Sequence, residues 1–141
     1  MIYEENQLQY HNYYSIRESV GWLHFPEEQT RRALEKSLYD IVAVEDAQVV
    51  GMGRLIGDGL YYVIVDLAVR PEYQGKKIGT QIVTKLLEYI ESHIPIDGRA
   101  SVQLIAEKGK ESFYEKLGFK TIPHEHCGTG MRKVIHHREG I

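Results

Sequence analysis

Cysteine is nearly missing from this sequence: Cys127 stands alone, so no intrachain disulfide can form, and a reducing, cytoplasmic location is expected. No apolar run approaches membrane-spanning length. Met1-Ile2-Tyr3-Glu4-Glu5 also lacks the basic segment followed by an apolar one that marks an export leader, so neither a membrane nor secretion is expected. Positive charge is not in excess either. A net charge of −3 and a pI near 6.2 argue against a nucleic-acid surface, and Lys76, Lys77 and Lys85 form only a local patch. His124, His126 and Cys127 lie close together and His136-His137 follow, but neither a CxxC pair nor a helical His-x-x-x-His is present. The stretch reads as a solvated loop and tail, with no metal. There is no internal repeat and no low-complexity segment. With 141 residues, 43% hydrophobic and 26% charged, the chain is expected to be one domain, 1–141, around one core.

What is present is organised around residues 63–87. Val63 to Val69 is a β-branched, almost wholly apolar run that reads as a strand buried on both faces, with Asp66 its one charge. Arg70-Pro71-Glu72-Tyr73 breaks the strand, and Gln74 to Thr80 turns into a helix. From Ile78, apolar residues recur at Ile82, Val83, Leu86, Leu87, Ile90 and Ile94, one helical stripe. A glycine-bearing turn that opens a helix directs amide N–H groups outward at the positive end of the helix dipole, a nest for phosphate. The plain alternative is a basic αβ connection with no ligand.

Two other phosphate loops are rejected. A Walker loop needs glycine-lysine-serine/threonine, and here Thr80 follows Gly79 directly. Gly51-Met52-Gly53-Arg54-Leu55-Ile56-Gly57 has dinucleotide-like glycines, but no amphipathic helix follows and its alternation says strand.

Asp66-Leu67-Ala68-Val69, then Pro71 to Gly79, and later Phe113-Tyr114-Glu115-Lys116-Leu117-Gly118-Phe119 together resemble the signature of the GCN5-related N-acetyltransferases, over roughly residues 41–132. That family's pyrophosphate loop reads Gln/Arg-x-x-Gly-x-Gly/Ala. Gln74 and Gly79 match its ends, and Lys77 stands where its first glycine usually is. If Lys77 keeps a helical conformation, its amide can still serve the phosphate. The family's asparagine seven residues before the tyrosine is Glu107 here. The resemblance implies an α/β, single-domain acyl-CoA N-acyltransferase fold: a mixed, mostly antiparallel sheet with a parallel, splayed strand pair and flanking helices. It also implies acetyl-CoA as cosubstrate, with pantetheine beside Leu67, Ala68 and Val69 and pyrophosphate on Gln74, Gly75, Lys76, Lys77, Ile78, Gly79 and Thr80.

The remaining elements fit around this unit. Met1–Tyr3 begins an edge strand, and Leu8, Tyr13, Ile16 and Val20 mark a helix. Pro26-Glu27-Glu28 starts a second helix with Thr30, Ala33, Leu34, Ser37 and Leu38 on its inner face. Tyr39–Glu45 and Gln48–Ile56 form a hairpin, and Gly57-Asp58-Gly59 turns into the organising strand. Ser101–Ala106 is the next strand, parallel to Val63–Val69 through a right-handed helical crossover. Lys108–Leu117 is a short helix stopped by Gly118, and Phe119–Pro123 and Gly130–Ile135 complete the sheet. Between the two N-terminal helices, Gly21 to Pro26 is dense in large apolar groups. In the family this segment commonly lines the acceptor site, so Trp22, His24 and Phe25 are candidates for substrate contact, with capping of the core as the alternative for Trp22 and Phe25.

Acetyl transfer to an amine requires a neutral nucleophile, a donor to the developing oxyanion and a proton for the leaving thiolate. A phenol stays protonated at neutral pH and can supply that proton, and in the family the tyrosine matching Tyr114 does so. Tyr114 is therefore expected on the short helix with its hydroxyl toward the thioester sulfur. Asp66 is the second catalytic candidate, because a carboxylate in an apolar strand is expensive to bury. In the glucosamine-6-phosphate N-acetyltransferase branch, which this stretch resembles, an acid here lies close to the acceptor amine. Asp66 would take the amine's proton, hold the ammonium, or simply be satisfied by loop amides or Arg54. Arg54 and Asp58 either bind a charged acceptor or pair with each other on the surface. The resulting expectation is an acetyl-CoA-dependent N-acetyltransferase working by direct attack on a primary, preferably small-molecule amine, with a homodimer left open. The competing expectation is a non-catalytic acyl-CoA-binding or sensing module.

Overall fold

The sheet is laid down in chain order. In the computed structural model, which describes residues 1–138, β1 (Ile2–Glu5), β2 (Tyr39–Glu45), β3 (Gln48–Gly57), β4 (Tyr61–Val69) and β5 (Ser101–Gln103) lie side by side in that sequence. The first three pairings are antiparallel and β4–β5 is parallel. The mixed, mostly antiparallel sheet expected from the sequence is therefore present, as is the β1 edge.

Local chemistry sets the turns. β2 and β3 join through Asp46 and Ala47, both left-handed at φ 50° and 61°, the twist a two-residue hairpin demands. β3 and β4 join where the Asp58 carboxylate accepts the amides of Leu60 and Tyr61 at 2.9 and 3.0 Å.

Helices cover both faces. The long helix, α3 (Ile78–His93), buries Ile78, Ile82, Val83, Leu86 and Ile90 of the stripe read from the sequence, while Leu87 is half-buried and Ile94 lies just beyond the helix. Gly51 and Gly53 make room for it: a Cβ on Gly53 would lie 2.7 Å from Ile82 Cγ2. The glycines that superficially resembled a nucleotide fingerprint are thus a landing strip for this helix, inside a strand. On the other face α1 (Tyr10–Ser19) contributes Tyr13 and Ile16 to a core with Leu8, Val42, Met52 and Ala68. The second helix, α2 (Glu27–Glu35), buries Thr30, but Leu38, expected on its inner face, lies beyond the helix and is 39% exposed.

These elements form one compact unit, Met1–Ile105, and Ala106–Ile141 form a second. In the second, α4 (Glu111–Glu115) is shorter than the helix expected over 108–117, and the left-handed Gly118 (φ 96°) follows it. The strands expected at Phe119–Pro123 and Gly130–Ile135 are not formed. Ile122, Met131, Val134 and Ile135 are 43%, 95%, 58% and 83% exposed, so their apolar side chains find no surface to hold a ladder in place. Among the described residues of this unit only His124 and Cys127 pair, as an isolated antiparallel bridge.

Candidate active site

The β3–β4 ladder slips at one point. Met52 pairs with Ala68 and Arg54 with Val65, so Gly53 faces both Asp66 and Leu67. The extra residue is a bulge, and Asp66 adopts the left-handed conformation at φ 56°, which aspartate tolerates better than most residues. Three donors converge on its carboxylate. Arg17 Nη1 reaches Oδ1 at 2.8 Å, while Arg54 Nε at 2.8 Å and the Tyr13 hydroxyl at 2.9 Å reach Oδ2. Arg54 Nη1 also donates to Ser37 Oγ at 3.0 Å. All three charged side chains are about one-tenth exposed, so this is a buried ionic cluster in which the carboxylate is paired by two cations. Burial first and Asp66 second push the Tyr13 phenol up to about 12, which keeps it a donor.

Arg54 therefore pairs with Asp66 in the interior, and the surface pair with Asp58 is not formed. Tyr13 and Arg17 complete the cluster, and the sequence reading had given neither a role at the site. They sit four residues apart on α1, and an arginine next to Ile16 on an otherwise apolar face was the available signal.

Arg17 also organises the segment between α1 and α2. Its Nη2 donates to the Leu23 carbonyl, and its guanidinium lies 5.2 Å from the Trp22 ring and 5.3 Å from the Phe25 ring. Trp22 packs against the α1 core, whereas Phe25 is 54% exposed. His24 is exposed and stacks on Tyr14 at 3.8 Å.

At the end of β4 the cofactor elements follow. Gln74 Nε2 donates to the Val69 carbonyl at 2.9 Å and ties the turn to the strand. Gly75 is left-handed at φ 79° and so is Lys77 at φ 63°, so the helical condition set for that lysine is not met: it fills the place a glycine would hold most easily. The amide of Gln81 bonds to the Lys77 carbonyl at 3.1 Å. Among the described residues the amides of Gly75 to Thr80 have no protein acceptor. α3 has no acid in its first turn, and Lys76 and Lys77 are exposed beside these amides. Donors, dipole and ammonium groups all favour an anion there, so these residues fit a pyrophosphate-bearing cofactor.

The neighbouring strand edge fits the remainder of such a cofactor. The β4–β5 ladder ends at Val63–Gln103, while β4 continues to Val69. Leu67, Ala68 and Val69 thus keep an edge that no described strand covers. The strand expected to reach Ala106 stops at Gln103, in keeping with the splayed pair.

In the second unit, Tyr114 on α4 packs edge-on between Phe113 and Phe119, with ring centroids at 4.9 and 5.9 Å. Burial, and secondarily the charge of Glu107, raise its phenol above the ordinary value, so it remains a proton donor at neutral pH.

Comparison with known proteins agrees with this arrangement. The family model for the acetyltransferase (GNAT) domain matches residues 10–136. An uncharacterized N-acetyltransferase ycf52 of Pyropia yezoensis is 31% identical over 108 residues, 72% of this chain and 59% of that protein. The chain spans about three-fifths of the length of the curated relatives it matches. Among solved structures, a GNAT-family acetyltransferase of Streptococcus pneumoniae superposes with a TM-score of 0.80 at 27% identity, covering 96% of this chain and 98% of that one. A probable acetyltransferase of unknown function from methicillin-resistant Staphylococcus aureus gives 0.78 at 26%, covering 94% and 100%. With a model match across nearly its whole length and the sheet, bulge and amide nest described above, the chain belongs to the GNAT acetyltransferase family.

Proposed function

We propose that the protein is an acetyl-CoA-dependent N-acetyltransferase acting on a primary amine, with a small molecule favoured over a protein as acceptor. The observation that carries this reading is the row of unpartnered amides from Gly75 to Thr80, which follows directly on the uncovered edge of β4. Those amides would bind the pyrophosphate, and Leu67, Ala68 and Val69 the amide-bearing arm. The neutral amine attacks the thioester carbonyl, a C–N bond forms and the C–S bond breaks. The thiolate takes a proton from the Tyr114 hydroxyl, and the amine gives one up to solvent or a base. Asp66 serves by position: both its oxygens already accept bonds from protein donors, so it holds Arg54 against Ser37 and Arg17 beside the acceptor loop, where Trp22, His24 and Phe25 contact the amine. The exposed, lone Cys127 suits a reducing compartment such as the cytoplasm.

The occupied Asp66 carboxylate also favours a second reading, an acyl-CoA-binding module without amine chemistry. CoA-thiol release across a panel of amines, paired with calorimetry of CoA and of dephosphorylated pantetheine, separates the two. The enzyme binds CoA far more tightly than pantetheine and turns over at least one amine, whereas the sensing module binds CoA and turns over none. Equal affinity for CoA and pantetheine removes the pyrophosphate assignment from both.

A further inference from the structure

We infer that Arg17 is a positioning residue that couples the cofactor strand to the acceptor loop, so that occupancy beside β4 is felt at Trp22; this rests on the proposed CoA site. One guanidinium touches both sides. Nη1 is bonded to Asp66, the left-handed residue directly before Leu67, and Nη2 is bonded to the Leu23 carbonyl. Its guanidinium carbon lies 5.2 Å from the Trp22 ring centroid and 5.3 Å from that of Phe25.

The loop's other anchors lie on α1 and its core, Trp22 packing there and His24 stacking on Tyr14, so among the described hydrogen bonds Arg17 alone ties it to β4. The Trp22 amide bonds to the Arg17 carbonyl at 3.0 Å, yet Leu23 is 88% and Phe25 54% exposed, so the core does not hold those side chains. The planar fork of arginine can satisfy an acid and a carbonyl at once while stacking on rings. An ammonium is a single point charge and does not reproduce that geometry. Any change in the bulge as Leu67 to Val69 engage a ligand must therefore move, or be resisted by, the same group that fixes the loop. By reciprocity, ordering of the loop favours the liganded strand.

Arg54 provides the control. It pairs with the same carboxylate but its other bond goes to Ser37, away from the loop. Asp66 thus keeps one counter-cation whichever arginine is changed.

Trp22 is the sole tryptophan, so its fluorescence reports on the loop alone. CoA is titrated while emission and acrylamide quenching are recorded, with calorimetry on the same samples. The wild-type chain should show a change at Trp22 that saturates with the calorimetric affinity. Arg17→Lys should still bind CoA, about fivefold or more weakly because the favourable loop coupling is gone, lose the CoA-dependent change, and leave Trp22 about twofold or more easier to quench, as expected when a local anchor is lost. Arg54→Lys should keep the response. The coupling is overturned if CoA binds and wild-type Trp22 stays silent, if Arg17→Lys responds fully, or if Arg54→Lys loses the response equally. Absence of CoA binding to the wild-type chain overturns the coupling and the proposed function together. Should Arg17→Lys not fold, the wild-type titration and the Arg54→Lys control still decide.

Discussion

Arg54 Nε stands 2.8 Å from Asp66 Oδ2 across the β3–β4 hairpin, at the point where the ladder slips by one residue. The bulge and the ion pair support each other: the left-handed backbone displaces the acid from the regular pleat, and the arginines hold it there.

Removing the acid leaves two buried cations facing each other. Asp66→Ala is expected to lose about 3–5 kcal/mol of stability, the range for breaking one partner of a buried pair. Urea unfolding measures it, and a loss below about 1 kcal/mol would show the cluster to be solvated. Asp66→Asn keeps the size of the side chain. It should lower kcat/KM for the amine while CoA affinity holds, through displaced arginines.

Lys77 occupies a conformation that costs a side-chain-bearing residue about 1–2 kcal/mol. Lys77→Gly should therefore raise stability, by about 1 kcal/mol or less after the added chain entropy of glycine, without weakening CoA binding by the amides. A lower melting temperature would indicate that the lysine side chain makes a compensating contact.

Tyr114→Phe removes one oxygen and retains the ring packing against Phe113 and Phe119. Folding and CoA affinity should be unchanged and turnover about 10²-fold slower, the usual range for lost general-acid assistance. Tyr114→Ala should instead destabilise by about 3 kcal/mol or more. Full activity in the Phe variant would refute the catalytic role.

Asp40 gives a pH signature. Burial raises its carboxyl above the ordinary value, against the opposing hydrogen bond from the Leu8 amide at 3.0 Å. The folded state thus holds this proton more tightly than the unfolded chain. The stabilisation is complete below the ordinary carboxylate value and is lost as pH rises through the elevated one. Asp40→Asn should abolish that decline, and urea midpoints of both proteins from acid to neutral pH would reveal it. Identical slopes would count against the burial of this group.

The parts of this fold that were legible in the sequence are those written as local periodicity. The alternation of β3, the α3 stripe from Ile78 to Ile90 and the glycine at 118 each follow from neighbours a few residues apart, whereas the apolar run of β4, read as buried on both faces, leaves Val63 36% exposed. The ionic cluster was half legible. Asp66 stood out as a charge in an apolar strand, but its pairing with Arg17 joins positions 49 apart and exists only once α1 docks on the sheet. Lysine carries no mark of a left-handed backbone, so the geometry of Lys77 was invisible. Phe119–Pro123 and Gly130–Ile135 were expected as strands because the sequence does not reveal which apolar residues stay uncovered.

Chain order and strand order coincide from β1 to β5, and this has a kinetic meaning. The β2–β3 and β3–β4 pairings close through short turns and need little loop entropy, so this three-stranded meander can zip together early. β1 must wait for α1 and α2 to be spanned, and β5 for α3. Amide exchange should accordingly be slowest in β3 and fastest in the two outer strands, which places the bulge at Asp66 inside the most persistent part of the molecule.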